Sequence, residues 1–168
     1  ANFLLAIFIF SFIYMFAGKD FTPAQIKEVQ KNSPAFDAGI IKEDVILSIN
    51  NNKVQSILDV STYINAATDK IIELKVLRNN EKIIIPVKPL MVKGEDSLGN
   101  KINKKIIGIK IAPLNNEFNR QKLGPATAIY YAIKQTWFGI KTSLNFIASI
   151  FKGKGDTTQL GGPIKIAK

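Results

Sequence analysis

Two of the side chains most used in catalysis are missing from this sequence, which contains no His and no Cys. A Ser-His-Asp triad, a Cys-His pair and an H-E-x-x-H zinc motif are therefore excluded within these 168 residues. A Ser/Lys dyad stays formally open because both residues are plentiful, but no spacing singles out a pair. No catalytic and no metal-binding residue is assigned. Without Cys, no disulfide braces the fold, and cysteine usage says nothing about compartment. What the chain does have is positive charge. Its net charge is +10, and residues 114–168 hold 8 Lys and Arg against 2 acidic residues. A basic segment beside apolar helices suits an anionic lipid surface. Nucleic acid is disfavoured as a partner, since the Lys residues are scattered and no basic run interleaves with aromatics. A/T-rich coding, which over-uses Ile, Asn and Lys together, competes as the source of part of the charge.

The element that must position any site is Asn32 to Val54, NSPAFDAGIIKEDVILSINNNKV. Ser33 can cap a short helix, and Pro34 suits its first turn, where a missing N–H costs nothing. Gly39 falls where that helix must end in a left-handed conformation. Ala35 and Ala38, three apart, let the helix press closely on a sheet. Val45, Leu47 and Ile49 are expected on one face of a strand, with Ile46 and Ser48 on the other. Asn50-Asn51-Asn52 then supplies a tight turn, because Asn tolerates positive φ.

This stretch carries the pattern S-P-A-x-x-A-G-I-x-x-x-D-x-I-x-x-I-N-x-x-x-V through Ser33, Pro34, Ala35, Ala38, Gly39, Ile40, Asp44, Ile46, Ile49, Asn50 and Val54. It resembles the PDZ domains of bacterial proteases, departing from them at Glu43 and Asn51, where that family usually has glycine. The resemblance implies that an extended peptide is held as an added strand on an open sheet edge beside a helix. The candidate peptide-binding residues are Val60, Tyr63 and Ile64 on the helix, and Ile107, Gly108 and Ile109 on the receiving strand. The latter three resemble the G-x-G-hydrophobic strand of such domains, with Gly108 allowing close backbone approach. Two alternatives stay open. In one, Ile57, Val60 and Ile64 are core and Ile107-Gly108-Ile109 is a closing strand. In the other, the strand at Ala24–Val29 serves the groove.

The expected class is α+β: a truncated transmembrane helix, one PDZ domain built as a small β-barrel or sandwich with two helices, then a long amphipathic helix. Residues 1–18 form the first part. Phe3 to Ala17 is apolar apart from Ser11 and Tyr14, and it spans roughly 22 Å against a hydrocarbon core of roughly 30 Å. A longer membrane helix that has lost its beginning is expected. A signal peptide competes but lacks a basic n-region and an A-x-A-like site, and a buried core helix is the third reading. Residues 19–113 form the PDZ domain. They contain a helix at Ile57–Ala67, strands at Ile71–Leu77 and Lys82–Val87 joined by an Arg78-Asn79-Asn80-Glu81 turn, a loop over Val92–Lys105, and a strand at Ile106–Ile111 closed by Pro113. Residues 114–122 read as a linker.

Residues 123–152 read as an amphipathic membrane-associated helix. Ile129, Ile133, Trp137, Ile140, Leu144, Ile147 and Phe151 form one stripe, and Lys134 and Lys141 share a face away from it. A helix lying on a membrane surface or packed on membrane helices, with Lys reaching towards headgroups, suits this pattern. A buried helix of a soluble domain competes, and a spanning helix is disfavoured by the two Lys within it. Residues 153–168 are expected to be a linker and the start of a further membrane helix.

The order of these parts, with Leu123-Gly124-Pro125, Ala128-Ile129, Thr136-Trp137, Gly162-Pro163-Ile164 and Ile166-Ala167, resembles the site-2 protease family of intramembrane zinc metalloproteases, of the regulator-of-sigma-E-protease type. Asn2-Phe3-Leu4-Leu5-Ala6 is similar to the start of that family's second membrane helix. The resemblance implies an enzyme that cuts a transmembrane substrate inside the bilayer after an earlier cut has shortened its outer domain. It implies zinc in the full-length protein, held by two His of H-E-x-x-H and an Asp of a later L-D-G, with the Glu as base and all of them outside this chain. It also implies the lipid bilayer and a membrane-protein substrate, for example one like an anti-sigma factor, as partners. The location implied is the bacterial inner membrane, with the PDZ domain on the periplasmic side as a size filter. Net charge does not test that orientation, because long domains cross largely regardless of charge. A non-enzymatic membrane-anchored PDZ adaptor shares the helix-then-PDZ plan but does not predict Leu123 to Lys168. The PDZ module of a periplasmic serine protease would lack the apolar Phe3–Ala17 run.

Overall fold

A computed structural model describes residues 2–67, 70–95 and 101–151. In chain order the elements are α1 (Asn2–Phe16), β1 (Lys19–Asp20), β2 (Ala24–Val29), α2 (Pro34–Asp37), β3 (Val45–Ile49), β4 (Asn52–Lys53) and α3 (Ile57–Ala66). There follow β5 (Ile72–Arg78), β6 (Glu81–Val87), β7 (Leu90–Glu95), β8 (Lys101–Ile106), β9 (Ile109–Pro113), a 3-10 turn (Leu114–Asn116), β10 (Arg120–Gln121) and α4 (Pro125–Phe151). The central sheet has the order β6-β5-β3-β2-β9, with β4 added beside β3, and its strands pair antiparallel. Ile26, Ile46, Ile49, Ile72, Leu74, Val76 and Val87 of the sheet, with Val60 of α3 and Ile107, are the largest fully buried apolar side chains among the described residues.

Local chemistry explains the turns. Ile49 pairs with Asn52 and Arg78 with Glu81, so each hairpin closes over two residues. Those residues, Asn50-Asn51 and Asn79-Asn80, all have positive φ. That is the backbone of the primed turns whose twist matches the flanking strands, and Asn adopts it more readily than most residues. The cap of α2 forms as expected, with Ser33 Oγ accepting from the Phe36 N–H at 3.3 Å. The two departures from the PDZ pattern take the backbone of the glycines they replace, since Glu43 has φ +75° and Asn51 φ +65°.

Asp44 shows why its position in the pattern matters. Its side chain is fully buried and ion-paired with Arg78. Arg78 Nε donates to Oδ1 and Nη2 to Oδ2, both at 2.7 Å, while Nη2 also reaches the Gly39 carbonyl at 2.9 Å. The Ile41 N–H donates to Oδ2 at 3.1 Å. One guanidinium thus ties the loop after α2 to the end of β5. Arg78→Ala leaves a buried carboxylate with only that amide. A loss of about 2 kcal/mol in urea unfolding is expected, below the usual range for a broken buried pair because Arg78 is partly exposed.

Four expectations are corrected. The alternation assigned to β3 fails, because a bulge between Ile46 and Ser48 turns both Ile46 and Ile49 into the core and leaves Val45 and Leu47 half-buried. Residues 92–105 are not simply a loop, since β7 and β8 pair over Leu90↔Ile106 to Glu95↔Lys101. This ribbon stands outside the central sheet, so it carries no apolar alternation to reveal it. It is held to the end of α3, where the Lys105 N–H donates to Asn65 Oδ1 at 2.9 Å and Lys105 Nζ donates to the Ala67 carbonyl. The strand expected at Ile106–Ile111 is broken at Ile107-Gly108, and only Ile109–Pro113 joins the sheet, against β2. Finally, residues 114–122 are not a bare linker, because β10 pairs with β1.

The β1–β10 pair makes a neck from which the domain hangs. Lys19 pairs with Gln121 and Asp20 with Arg120. The Phe21 N–H donates to the Asn119 carbonyl at 2.7 Å, and the Asn119 N–H donates to the buried Thr22 hydroxyl at 2.9 Å. Entry to and exit from the domain are therefore adjacent. Below the neck α1 and α4 pack on each other. The residues buried on them are small: Ser11, Ala128, Ala132 and Thr136. The large residues of the expected stripe, Ile129, Ile133, Trp137, Leu144 and Ile147, face outward, as do Phe3, Leu4, Phe8 and Phe12 of α1. Within this chain those residues of the stripe are therefore left uncovered. Among the described residues no helix is long and apolar enough to cross a membrane, and α1 has 15 residues. The expected segment at 153–168 lies outside the described residues.

Candidate functional site

The structure separates the residues expected to form a peptide groove. Val60 and Ile64 of α3 are buried in the core with Ile57 partly buried against it, as in the alternative that made these three core, and Ile107, read there as part of a closing strand, is buried too. Gly108 is the partner of a different backbone. It has φ +81°, and a Cβ there would lie 2.3 Å from Ser33 Cβ. Its carbonyl accepts from the Gln30 N–H at 2.9 Å, and that of Ile107 accepts from the Ala35 N–H at 2.8 Å. Ile107-Gly108 is thus a seat for the cap of α2. Ile109 is half-buried at the start of β9 and pairs with Val29. Tyr63, half-buried, turns towards α4 and meets Phe138 edge-on, with ring centroids 5.1 Å apart. β2 lies inside the sheet between β3 and β9, so Ala24–Val29 offers no free edge.

Tyr63 instead lines a cavity of about 450 Å³ between α3, the neck and α4. Tyr63, Tyr131, Trp137 and Phe138 give it aromatic walls. Tyr131 meets Phe21 edge-on at 5.4 Å, and its hydroxyl accepts from Gln55 Nε2 at 3.2 Å. Its rim is basic, with Lys19, Lys53, Lys134 and Lys141 lining it. Lys19 Nζ sits 5.2–5.8 Å from the ring centres of Tyr14, Phe21 and Tyr131, a geometry in which ring faces attract the ammonium. The one carboxylate in the lining, Asp59, is committed to capping α3. Its Oδ2 accepts from the Gln55 and Ser56 N–H groups at 2.8 and 2.9 Å. The sequence signalled only Lys134 and Lys141. Lys19, Lys53 and Gln55 join them through the fold alone. Among the described residues no cluster of His, Cys, Asp or Glu could hold a metal.

Burial, and secondarily the Asp59 charge, push the Tyr63 phenol up to about 12 from its ordinary 10.0. The folded state therefore holds this proton more tightly than the unfolded chain. Below pH 10 the contribution is fully present, and it is lost as pH rises from about 10 to about 12. Alkaline unfolding midpoints followed by circular dichroism should show a shallower loss of stability in Tyr63→Phe than in the wild type over that window.

Residues 25–78 match the family model of the PDZ domain. The chain carries a PDZ domain of α+β content followed by a helix. Along its whole length it is related to proteins named zinc metalloproteases. A putative zinc metalloprotease of Agrobacterium fabrum is 30% identical over 168 residues, covering 100% of this chain and 45% of that protein. One of Mesorhizobium japonicum is 31% identical, covering 99% of this chain and 45% of that protein, and one of Rickettsia conorii is 32% identical, covering 99% and 46%. The chain thus spans about half the length of these relatives. Among solved structures, the PDZ domain of an SdrC-like protein from Listeria monocytogenes covers 52% of this chain and 85% of its own length, at 19% identity and a TM-score of 0.41.

Proposed function

We propose that this chain is the central, substrate-gating part of an intramembrane zinc metalloprotease of the site-2 type. The observation that carries the proposal is the combination of similarity along the whole of this chain to about half of named zinc metalloproteases with a PDZ domain inserted between two helices through an adjacent pair of strands. In this reading the zinc, its ligands and the base belong to other parts of the full-length protein. Here α1 and α4 lie in or against the bacterial inner membrane, with the PDZ domain on the periplasmic side. The packing of α1 and α4 through small residues, with large apolar side chains outward, is the pattern of helices that meet in lipid and supports this placement. The domain would act on membrane-protein substrates as a size filter. A peptide end would add to the outer edge of β9, since β9 ends the order of the central sheet.

The test uses the full-length protein. Because the neck brings entry and exit together, residues 22–118 can be replaced by a two-residue turn between Phe21 and Asn119. The shortened enzyme is expected to cleave a membrane substrate that keeps its outer domain, which the intact enzyme rejects, and to cleave a pre-shortened substrate at an unchanged rate. Continued rejection of the untrimmed substrate would remove the gating role. A full-length protein with neither bound zinc nor peptidase activity would leave a PDZ adaptor instead.

A further inference from the structure

We infer that the cavity between α3, the neck and α4 is a binding site for the phosphate headgroup of an anionic phospholipid. The inference rests on the membrane placement of α1 and α4 proposed above. Four lysines line a half-open space of about 450 Å³. They come from four places in the chain: Lys19 follows α1, Lys53 lies in β4, and Lys134 and Lys141 lie on α4. Among the described residues none of the four has a carboxylate partner. The only acid in the lining, Asp59, has one of its oxygens, Oδ2, held by two backbone amides. Lys53, Lys134 and Lys141 are exposed at this rim rather than drawn to any acidic surface. Lys19 rests against the rings of Tyr14, Phe21 and Tyr131, and Lys134 lies 4.7 Å from the Tyr130 ring centre, contacts that leave both charges in place. Such a concentration of positive charge without a carboxylate counter-ion is complementary to a phosphodiester.

The neighbouring apolar groups argue for a lipid over a free anion. Trp137 and Ile133 line the same cavity and are 66% and 49% exposed. Trp favours the boundary between headgroups and acyl chains, and Lys extends from that boundary towards phosphates. Lys19 stands three residues beyond the end of α1, where an apolar helix would leave the hydrocarbon. Headgroup chemistry and chain chemistry are thus offered side by side.

Trp137 is the one tryptophan of the sequence and reports on the site directly. The full chain in neutral detergent micelles is titrated with dioctanoyl phosphatidylglycerol, dioctanoyl phosphatidylcholine and inorganic phosphate while Trp137 emission is followed. A saturable blue shift is expected with phosphatidylglycerol alone. K53Q combined with K141Q should weaken it about 25-fold, about five-fold per lysine at an anionic surface. K42Q combined with K82Q removes the same charge from exposed positions off the cavity and should change affinity by less than about two-fold. Equal losses in both double variants would overturn the site, because diffuse attraction would then account for binding. An equal response to phosphatidylcholine would overturn it too. Saturation by inorganic phosphate at the concentrations effective for the lipid would overturn the lipid assignment in favour of a free anion. Flotation with neutral phosphatidylcholine vesicles reads the membrane placement separately, and K53Q/K141Q should float as the wild type does. A chain that binds phosphatidylglycerol but fails to float overturns the membrane placement and leaves the headgroup site standing.

Discussion

Val60→Asp is expected to unfold the PDZ domain, not to weaken a binding surface. Val60 is 2% exposed at the middle of α3, facing the core with Ile64. Removing its side chain from the core forfeits about 1.5–3 kcal/mol of burial. Placing an ionised carboxylate there without a partner costs several kcal/mol more. The helix cannot rotate to relieve this, because both of its ends are tied. Ser56 and Asp59 cap its start reciprocally, and Asn65 and Ala67 receive Lys105 at its end. The combined loss, more than about 4 kcal/mol, approaches the whole stability of many single domains. Val60→Ala, which only leaves a cavity, should cost about 2 kcal/mol and keep the fold. Urea unfolding followed by circular dichroism compares the three proteins. A cooperatively folded Val60→Asp protein would mean that this face of α3 is open to solvent, as a groove wall would be.

Gly108→Ala should cost about 3 kcal/mol, with a control inside the same domain. Two effects add at Gly108. A side chain at φ +81° costs about 1–2 kcal/mol. The new Cβ would also meet Ser33 Cβ at 2.3 Å and Ser33 Oγ at 2.7 Å, and forcing a methyl into a packed site costs a further 1–3 kcal/mol or so. Ser33 cannot yield freely, because it caps α2 and the Gln30 and Ala35 amides are bonded to the same turn. Gly39 has nearly the same backbone, φ +78°, with nothing within 4 Å of where an added methyl would stand. Gly39→Ala should therefore show the strain alone, about 1–2 kcal/mol. The difference between the two midpoints isolates the contact with Ser33. Equal losses would mean that the Ile107-Gly108 turn does not bear on the cap of α2.

These two substitutions also mark where reading the sequence and reading the fold part company. Val60, Ile64, Ile107 and Gly108 were legible as special positions, since an apolar face at helical spacing and a glycine between β-branched residues are local patterns. Their role was not legible. An apolar helix face reads the same whether it lines a groove or seals a core, and the choice is made by how far α3 leans on the sheet. Gly108 does make room, but for the side chain of Ser33, 75 residues earlier, and not for the backbone of a bound peptide. Lys134 and Lys141 were visible as a shared face. The cavity they rim exists only because the neck returns α4 to the side of α3, which brings Lys19, Lys53 and Tyr63 alongside.

By itself the sequence determined the turns, the caps and the absence of His and Cys chemistry. Asn50-Asn51 and Asn79-Asn80, Ser33 and Gly39 act through their own φ and through bonds to residues a few positions away, so neighbouring letters suffice. Tertiary structure decided which faces are covered. A bulge turns Ile46 and Ile49 inward together, and α4 buries Ala128 and Ala132 while Trp137 and Ile133 stay outside. Burial depends on what the rest of the chain places opposite a residue, and no local pattern contains that.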